Sequence, residues 1–316
     1  MTSLPLFVGI DVAPPTLDVA VRPTAETWTV PHDAAGMTAL VTQRQARQPT
    51  LVVLEAPGGF QAALTAAWAA AALPVLVVNP RQVRALAHAV GLLATTDRLD
   101  ARVMAHCADA VRPTPRPLPD AATQDLRALL LRRRQRIEMR PAERNRLASA
   151  PACLPDELGQ PIAWRTDRLA GLETTLAQTL KASAVWQAQE DRLPRVPGVG
   201  PVLSRTLVAQ VPALGTLSPK PLAALVGVAP CKRDSGTLRG RRTISGGRAP
   251  GRAVWYRGTL VATKPHPVIK ALYDRLCAAG KAKKVALTAC MHTWLTILNA
   301  MMKHHTPWQP REVPIA

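Results

Sequence analysis

Acid is scarce in this chain. Against 40 Lys and Arg stand 21 Asp and Glu, which leaves a net charge of +19 and a pI near 11.0. So large an imbalance argues for a polyanionic partner, nucleic acid foremost. Arg far outnumbers Lys, and Arg forms planar forked contacts with phosphate. Cysteine is sparse and dispersed: Cys107, Cys153, Cys231, Cys277 and Cys290 include no CxxC pair, which excludes a disulfide framework and predicts a reducing compartment. The one grouping with ligand chemistry, Cys290, His292, His304 and His305, lacks the paired spacing of zinc sites and reads as a core thiol with surface imidazoles. No basic start precedes the first apolar run, MTSLPLFVGID, and the uncharged stretch from Gln61 to Val78 contains Pro74 and is short for a membrane span. A cytoplasmic protein with no membrane partner is expected. Also missing is an Asp-x-Glu pair on the first strand, since Val12 and Ala13 follow Asp11, and this disfavours a proofreading exonuclease.

The few acids fall at informative places. Asp11 ends the apolar run LFVGID, Glu55 ends TLVVLE, and Asp97 and Asp100 stand three apart in the helical stretch TTDRLDARVMAHCA. Singly, each reads as a strand end or a helix cap. Together, two strand ends and one helix face can converge, and four carboxylates that converge repel unless a cation joins them. Mg²⁺ or Mn²⁺ takes such hard oxygen donors, and paired ions stabilise both oxygens of a phosphoryl transfer.

Strand and helix signals alternate through residues 1–110. LFVGIDV, TLDVAV and ETWTV predict a three-strand meander; a helix over Ala34 to Arg47, the strand TLVVLE, an Ala-rich helix, the strand PVLVV and helices from Arg81 and Asp97 follow. This is the layout of a ribonuclease H-like mixed α/β sheet. The Pro-rich VRPTPRPLPD marks a boundary. Residues 111–192 then read as linker and helical, coiled-coil-like arm, with Arg132, Arg136, Arg140 and Arg144 on one stripe and Pro141 expected to kink or interrupt the helix. Residues 193–316 read as a mainly helical domain. It opens on VPGVGP, where Gly198 and Gly200 resemble the phosphate-holding turn of a helix-hairpin-helix module. The segment CKRDSGTLRGRRTISGGRAPGRAVWYRG then concentrates Lys232, Arg233, Arg239, Arg241, Arg242, Arg248 and Arg252 around glycines, as a loop laid on a nucleic-acid backbone would. Ser235 and Ser245 each precede a glycine there, which on its own marks a turn residue.

Taken in order, GID, EAPGGF, VVNPRQVR, TDRLDARVMA, VPGVGP and DSGTLRGRRTISGGR resemble the insertion-sequence-110 family of transposases, related to Piv-type DNA invertases, over nearly the whole chain. The resemblance implies a RuvC-like domain whose Asp-Glu-Asp-Asp set matches Asp11, Glu55, Asp97 and Asp100. It implies a nucleophilic serine best matched by Ser235, and a site shared between subunits that attaches DNA to serine. It also implies donor and target DNA as substrates, a structured noncoding guide RNA, and a dimer that pairs into a tetramer. Ala13 and Pro14 depart from the Ser-Lys frequent in the family, Phe60 from a tyrosine, and Pro141 falls inside the arm. A RuvC-like nuclease using water, and a noncatalytic nucleic-acid binder, are the alternatives; neither accounts for both the carboxylates and the serine-rich basic segment.

Overall fold

The computed structural model describes residues 4–55, 60–115, 120–247 and 249–309. The chain divides into two compact units, residues 1–118 and 119–316.

Three strands open the first unit because β-branched residues alternate along short runs: β1 (Phe7–Val12), β2 (Thr16–Arg22) and β3 (Thr27–Pro31) form an antiparallel meander. β4 (Leu51–Glu55) and β5 (Val75–Val78) add in parallel on the other side of β1, giving the order β3-β2-β1-β4-β5. The helices between and after them are α1 (Ala34–Arg47), α2 (Gln61–Ala70), α3 (Pro80–Ala89) and α4 (Asp97–Val111). The mixed sheet and its elements thus follow the sequence pattern closely.

Strand periodicity divides the core in two. Val8, Ile10, Val12, Val52 and Leu54 pack with Leu40 of α1 and with Leu64 and Trp68 of α2. Phe7, Leu51 and Val53 turn the other way, onto Val83 of α3 and Val103 and Met104 of α4. Asp11 and Glu55 share the parity of this second set and therefore belong to the α4 side. Gly9 lies between: a Cβ there would stand 2.2 Å from both the Ala101 carbonyl oxygen and the Ala105 nitrogen. Only glycine lets α4 lie on β1 backbone to backbone. Thr96 caps α4, its Oγ1 accepting from Leu99 N–H at 3.3 Å, so Asp97 is the first helical residue rather than the cap.

The second unit opens with α5 (Ala121–Ala148) and α6 (Pro155–Lys181), an antiparallel hairpin in which Leu126 and Leu130 meet Leu176 and Leu180 in one core. α5 continues through Pro141, which removes one N–H donor without ending the helix, and α6 likewise runs through Pro161. Paired helices supply contacts that local propensity lacks. The same core includes Trp255, Trp294 and Leu298 from the C-terminal helices. Between them come α7 (Ala184–Arg192), a 3₁₀ turn, α8 (Pro201–Gln210), α9 (Pro219–Val226), the two-residue strands β6 (Pro230–Cys231), β7 (Asp234–Ser235), β8 (Leu238–Arg239) and β9 (Thr243–Ile244), α10 (Ala249–Ala262), α11 (Pro267–Ala278) and α12 (Lys283–His304). The indoles of Trp255 and Trp294 stack at 4.7 Å, and Trp255 Nε1 donates to the Met291 carbonyl at 3.1 Å. α12 is long and apolar enough to span a membrane, but 56% of that stretch is buried in this core. Cys290 is buried within it, and burial pushes its thiol up to about 11.

Candidate active site

Asp11 stands one residue beyond the last β1–β4 pair, Ile10 with Leu54, and Glu55 one residue beyond the same pair on the neighbouring strand. Two parallel strands therefore end side by side in carboxylates. The first turn of α4 brings Asp97 and Asp100 to the same end of the sheet. Their mutual influence is visible in Asp11, whose carboxyl is raised from 3.8 to about 6 by burial first, then by the charges of Asp97, Asp100 and Glu55, against a lowering hydrogen bond from the Val12 backbone. Glu55 is raised as well, by burial and by Asp100, while Arg84 opposes the shift.

All four sequence-predicted acids thus share one electrostatic locus. They are not closed into a coordination shell: among the described residues no three His, Cys, Asp or Glu side chains stand near enough to hold one ion. The donor set nevertheless fits a hard divalent cation, since it offers only carboxylate oxygens, and burial together with the mutual repulsion of the acids raises Asp11, a repulsion a bound cation would relieve.

Two residues of this locus escaped sequence reasoning. Asp18 pairs with Asp11 in the β1–β2 register and is buried; its Oδ1 accepts from the Thr29 hydroxyl at 2.5 Å and lies 3.7 Å from Arg98 Nε of α4. The signal was an acid at an inward-facing position of TLDVAV. Arg84 of α3 places Nη2 3.5 Å from Asp100 Oδ2. Nothing in local pattern announces that contact.

In the second unit Ser235 pairs with Leu238 and Asp234 with Arg239 across the β7–β8 hairpin, whose turn takes Gly236 to φ +54°. Lys232, Arg233, Ser235, Arg239, Arg241 and Arg242 are all exposed. Asp234 holds the hairpin's base, its Oδ1 accepting from Gly240 N–H at 3.2 Å. Ser245 is exposed too, but its neighbours are clamped: a Cβ on Gly247 would lie 2.3 Å from the Gly227 nitrogen, and Arg252 Nη1 donates to the carbonyls of Gly246 at 2.6 Å and Gly227 at 3.4 Å. Arg252 is thus engaged by the loop itself, and Arg248 lies outside the described residues. Gly198 adopts φ +90° beneath Ala262, whose Cβ would be 2.7 Å from an added one, while Gly200 caps α8 in open space. On α5, Arg132 donates to Gln135 Oε1 at 3.1 Å and Arg136 lies 5.3 Å from the Trp164 ring centre, so part of the stripe is used between and along the hairpin helices; Arg140 is half-buried on the same helix.

A carboxylate locus at the end of a mixed sheet and an exposed basic hairpin, in a chain of this charge, suit an enzyme that acts on DNA. Residues 8–150 match the DEDD transposase signature of IS110 elements, and residues 190–274 match "Transposase IS116/IS110/IS902 family". The chain belongs to this family of transposases and site-specific recombinases. It is similar to the pilin gene-inverting protein of Moraxella lacunata, 27% identical across 96% of this chain and 98% of that one. The protein of the same description from Moraxella bovis is 26% identical over the same shares.

Proposed function

We propose that the chain is the recombinase of a bacterial insertion sequence, joining DNA covalently to Ser235 with the help of a divalent-metal site on a RuvC-like domain. The observation that carries this reading is the shared field of Asp11, Glu55, Asp97 and Asp100, four anions gathered in a cationic protein. These carboxylates are the ligands for Mg²⁺ or Mn²⁺. A bound cation of this type supplies Lewis acidity at phosphoryl oxygens and stabilises a leaving oxygen.

Ser235 supplies the nucleophile: its Oγ forms a bond to phosphorus while a phosphorus–oxygen bond to deoxyribose breaks, its proton passing to base and the leaving oxygen taking one up. The phosphodiester energy is kept in the phosphoserine ester, so strands rejoin without ATP. Lys232, Arg233, Arg239, Arg241 and Arg242, exposed around the hairpin, neutralise the phosphate. Arg132 and Arg140 of α5, together with the Gly198–Gly200 turn, add sequence-independent backbone contacts. The family resemblance adds a guide RNA pairing with donor and target DNA, a site completed between subunits of a dimer or tetramer, and action in the cytoplasm on the nucleoid.

The test is a denaturation-resistant protein–DNA adduct, formed with Mg²⁺, element ends and flanking noncoding RNA. Ser235→Ala is expected to abolish the adduct, Ser245→Ala to retain it, and Asp11→Asn to remove all cleavage. Cutting by Ser235→Ala without an adduct would establish the water-using nuclease instead.

A further inference from the structure

Beside the carboxylates, α3 and the start of α4 border an open cleft of about 650 Å³, lined by Glu55, Asp100, Arg81, Arg84 and His88 with apolar side chains between. Arg81, Arg84 and His88 recur at helical spacing and so present donors on one face of α3. Arg84 is incompletely used. Its Nη2 faces Asp100 Oδ2 at 3.5 Å, long for a charge-assisted bond, and its Nη1 is buried with no hydrogen-bond partner among the described residues. A buried guanidinium donor lacking an acceptor is unfavourable unless a ligand supplies one. The fork of an arginine matches the paired oxygens of a phosphodiester, and the cleft has the volume for one nucleotide unit.

Resting on the recombinase reading, we propose that this cleft seats a DNA backbone phosphate flanking the scissile one, and that Arg84 leaves Asp100 to grip it. Arg84 is then a positioning residue with two partners. With Asp100 alone it neutralises part of the acidic cluster; with DNA present it fixes the backbone and frees the Asp100 oxygens. Arg81 and His88 border the same seat and add donors to it.

The experiment uses the full chain and a short fluorescent duplex, with affinity measured by anisotropy in EDTA over a salt series, and Mn²⁺ binding measured by electron paramagnetic resonance. Arg84→Gln is expected to weaken duplex binding about three- to tenfold and to lower the salt slope by about one, with Arg84→Lys recovering most of both. The same Arg84→Gln protein is expected to bind Mn²⁺ at least as tightly as the unmodified chain, because Asp100 is freed. Circular dichroism checks that each variant is folded. Unchanged affinity and salt slope in Arg84→Gln would overturn the seat, and so would weakened Mn²⁺ binding, which would make Arg84 a mere support of the carboxylates. Asp11→Asn separates the two readings: if it abolishes cleavage while Arg84→Gln binds duplex normally, the seat fails and the recombinase stands. Cleavage surviving Asp11→Asn removes the recombinase reading itself.

Discussion

Asp11 works against the fold that holds it. Its carboxyl is raised to about 6, so the native state favours the protonated form. Well below pH 3.8 both folded and unfolded chains hold that proton and the group is neutral to stability; as pH rises toward 6 the unfolded chain ionises first and stability is lost, with no further change above. A shift of this size corresponds to about 3 kcal/mol at most, and partial exposure reduces it to roughly 1–2 kcal/mol. Metal-free Asp11→Asn is accordingly expected to be more stable than the parent by that amount at pH 7 and to converge with it as pH falls well below 3.8, as read by urea denaturation. Millimolar Mn²⁺ is expected to raise the melting temperature of the parent and not of Asp11→Asn. The Asp11, Glu55, Asp97 and Asp100 set was legible because each acid marks the end of an apolar strand or the first turn of a helix, features written in neighbouring residues. Asp18 and Arg84 were not, because their roles arise from register across β1–β2 and from the meeting of α3 with α4.

Gly9 governs a larger piece, the seating of a whole helix. Gly9→Ala puts a methyl group against the backbone of Ala101 and Ala105, where no side chain can swing aside. α4 must lift, and Asp97 and Asp100 lift with it. A loss of about 1–3 kcal/mol in denaturant unfolding is expected, with cleavage falling further than stability does. The root of the helical arm offers a second element-scale test. Glu173 accepts from Arg133 Nε and, at 2.8 Å, from Arg205 Nη1, while Arg205 Nε reaches Glu190 at 2.9 Å, tying α5, α6, α7 and α8 together. Glu173→Gln leaves two arginines facing a neutral amide and is expected to cost about 1–2 kcal/mol, after discount for partial exposure. Helices such as α1 and α4 were readable from periodicity. The strands β6 to β9 were not, since two-residue pairings among Gly and Arg carry no alternation. The course of α5 through Pro141 shows the reverse failure: a local breaker is overridden by packing along a partner helix.

Across the whole molecule, the four acids and Ser235 fall in different compact units, so on the proposed mechanism each can be substituted without touching the unit that carries the other. If the site is completed between subunits, mixing full-length Asp11→Asn with full-length Ser235→Ala is expected to restore part of the adduct that neither forms alone. No recovery over a range of mixing ratios would place both halves in one subunit. The net charge of +19 further predicts nucleic-acid affinity that falls steeply with ionic strength, measurable as the slope of binding against salt. Charge and family were legible at this scale because composition and motif order survive without knowledge of contacts.

The serine hairpin carries one more implication. Lys232, Arg233, Arg239, Arg241 and Arg242 all stand exposed within eleven consecutive residues, each a peptide bond that trypsin recognises. The resting protein therefore offers a digestive protease its own serine loop as bait, and a loaded complex should hide that bait behind its cargo.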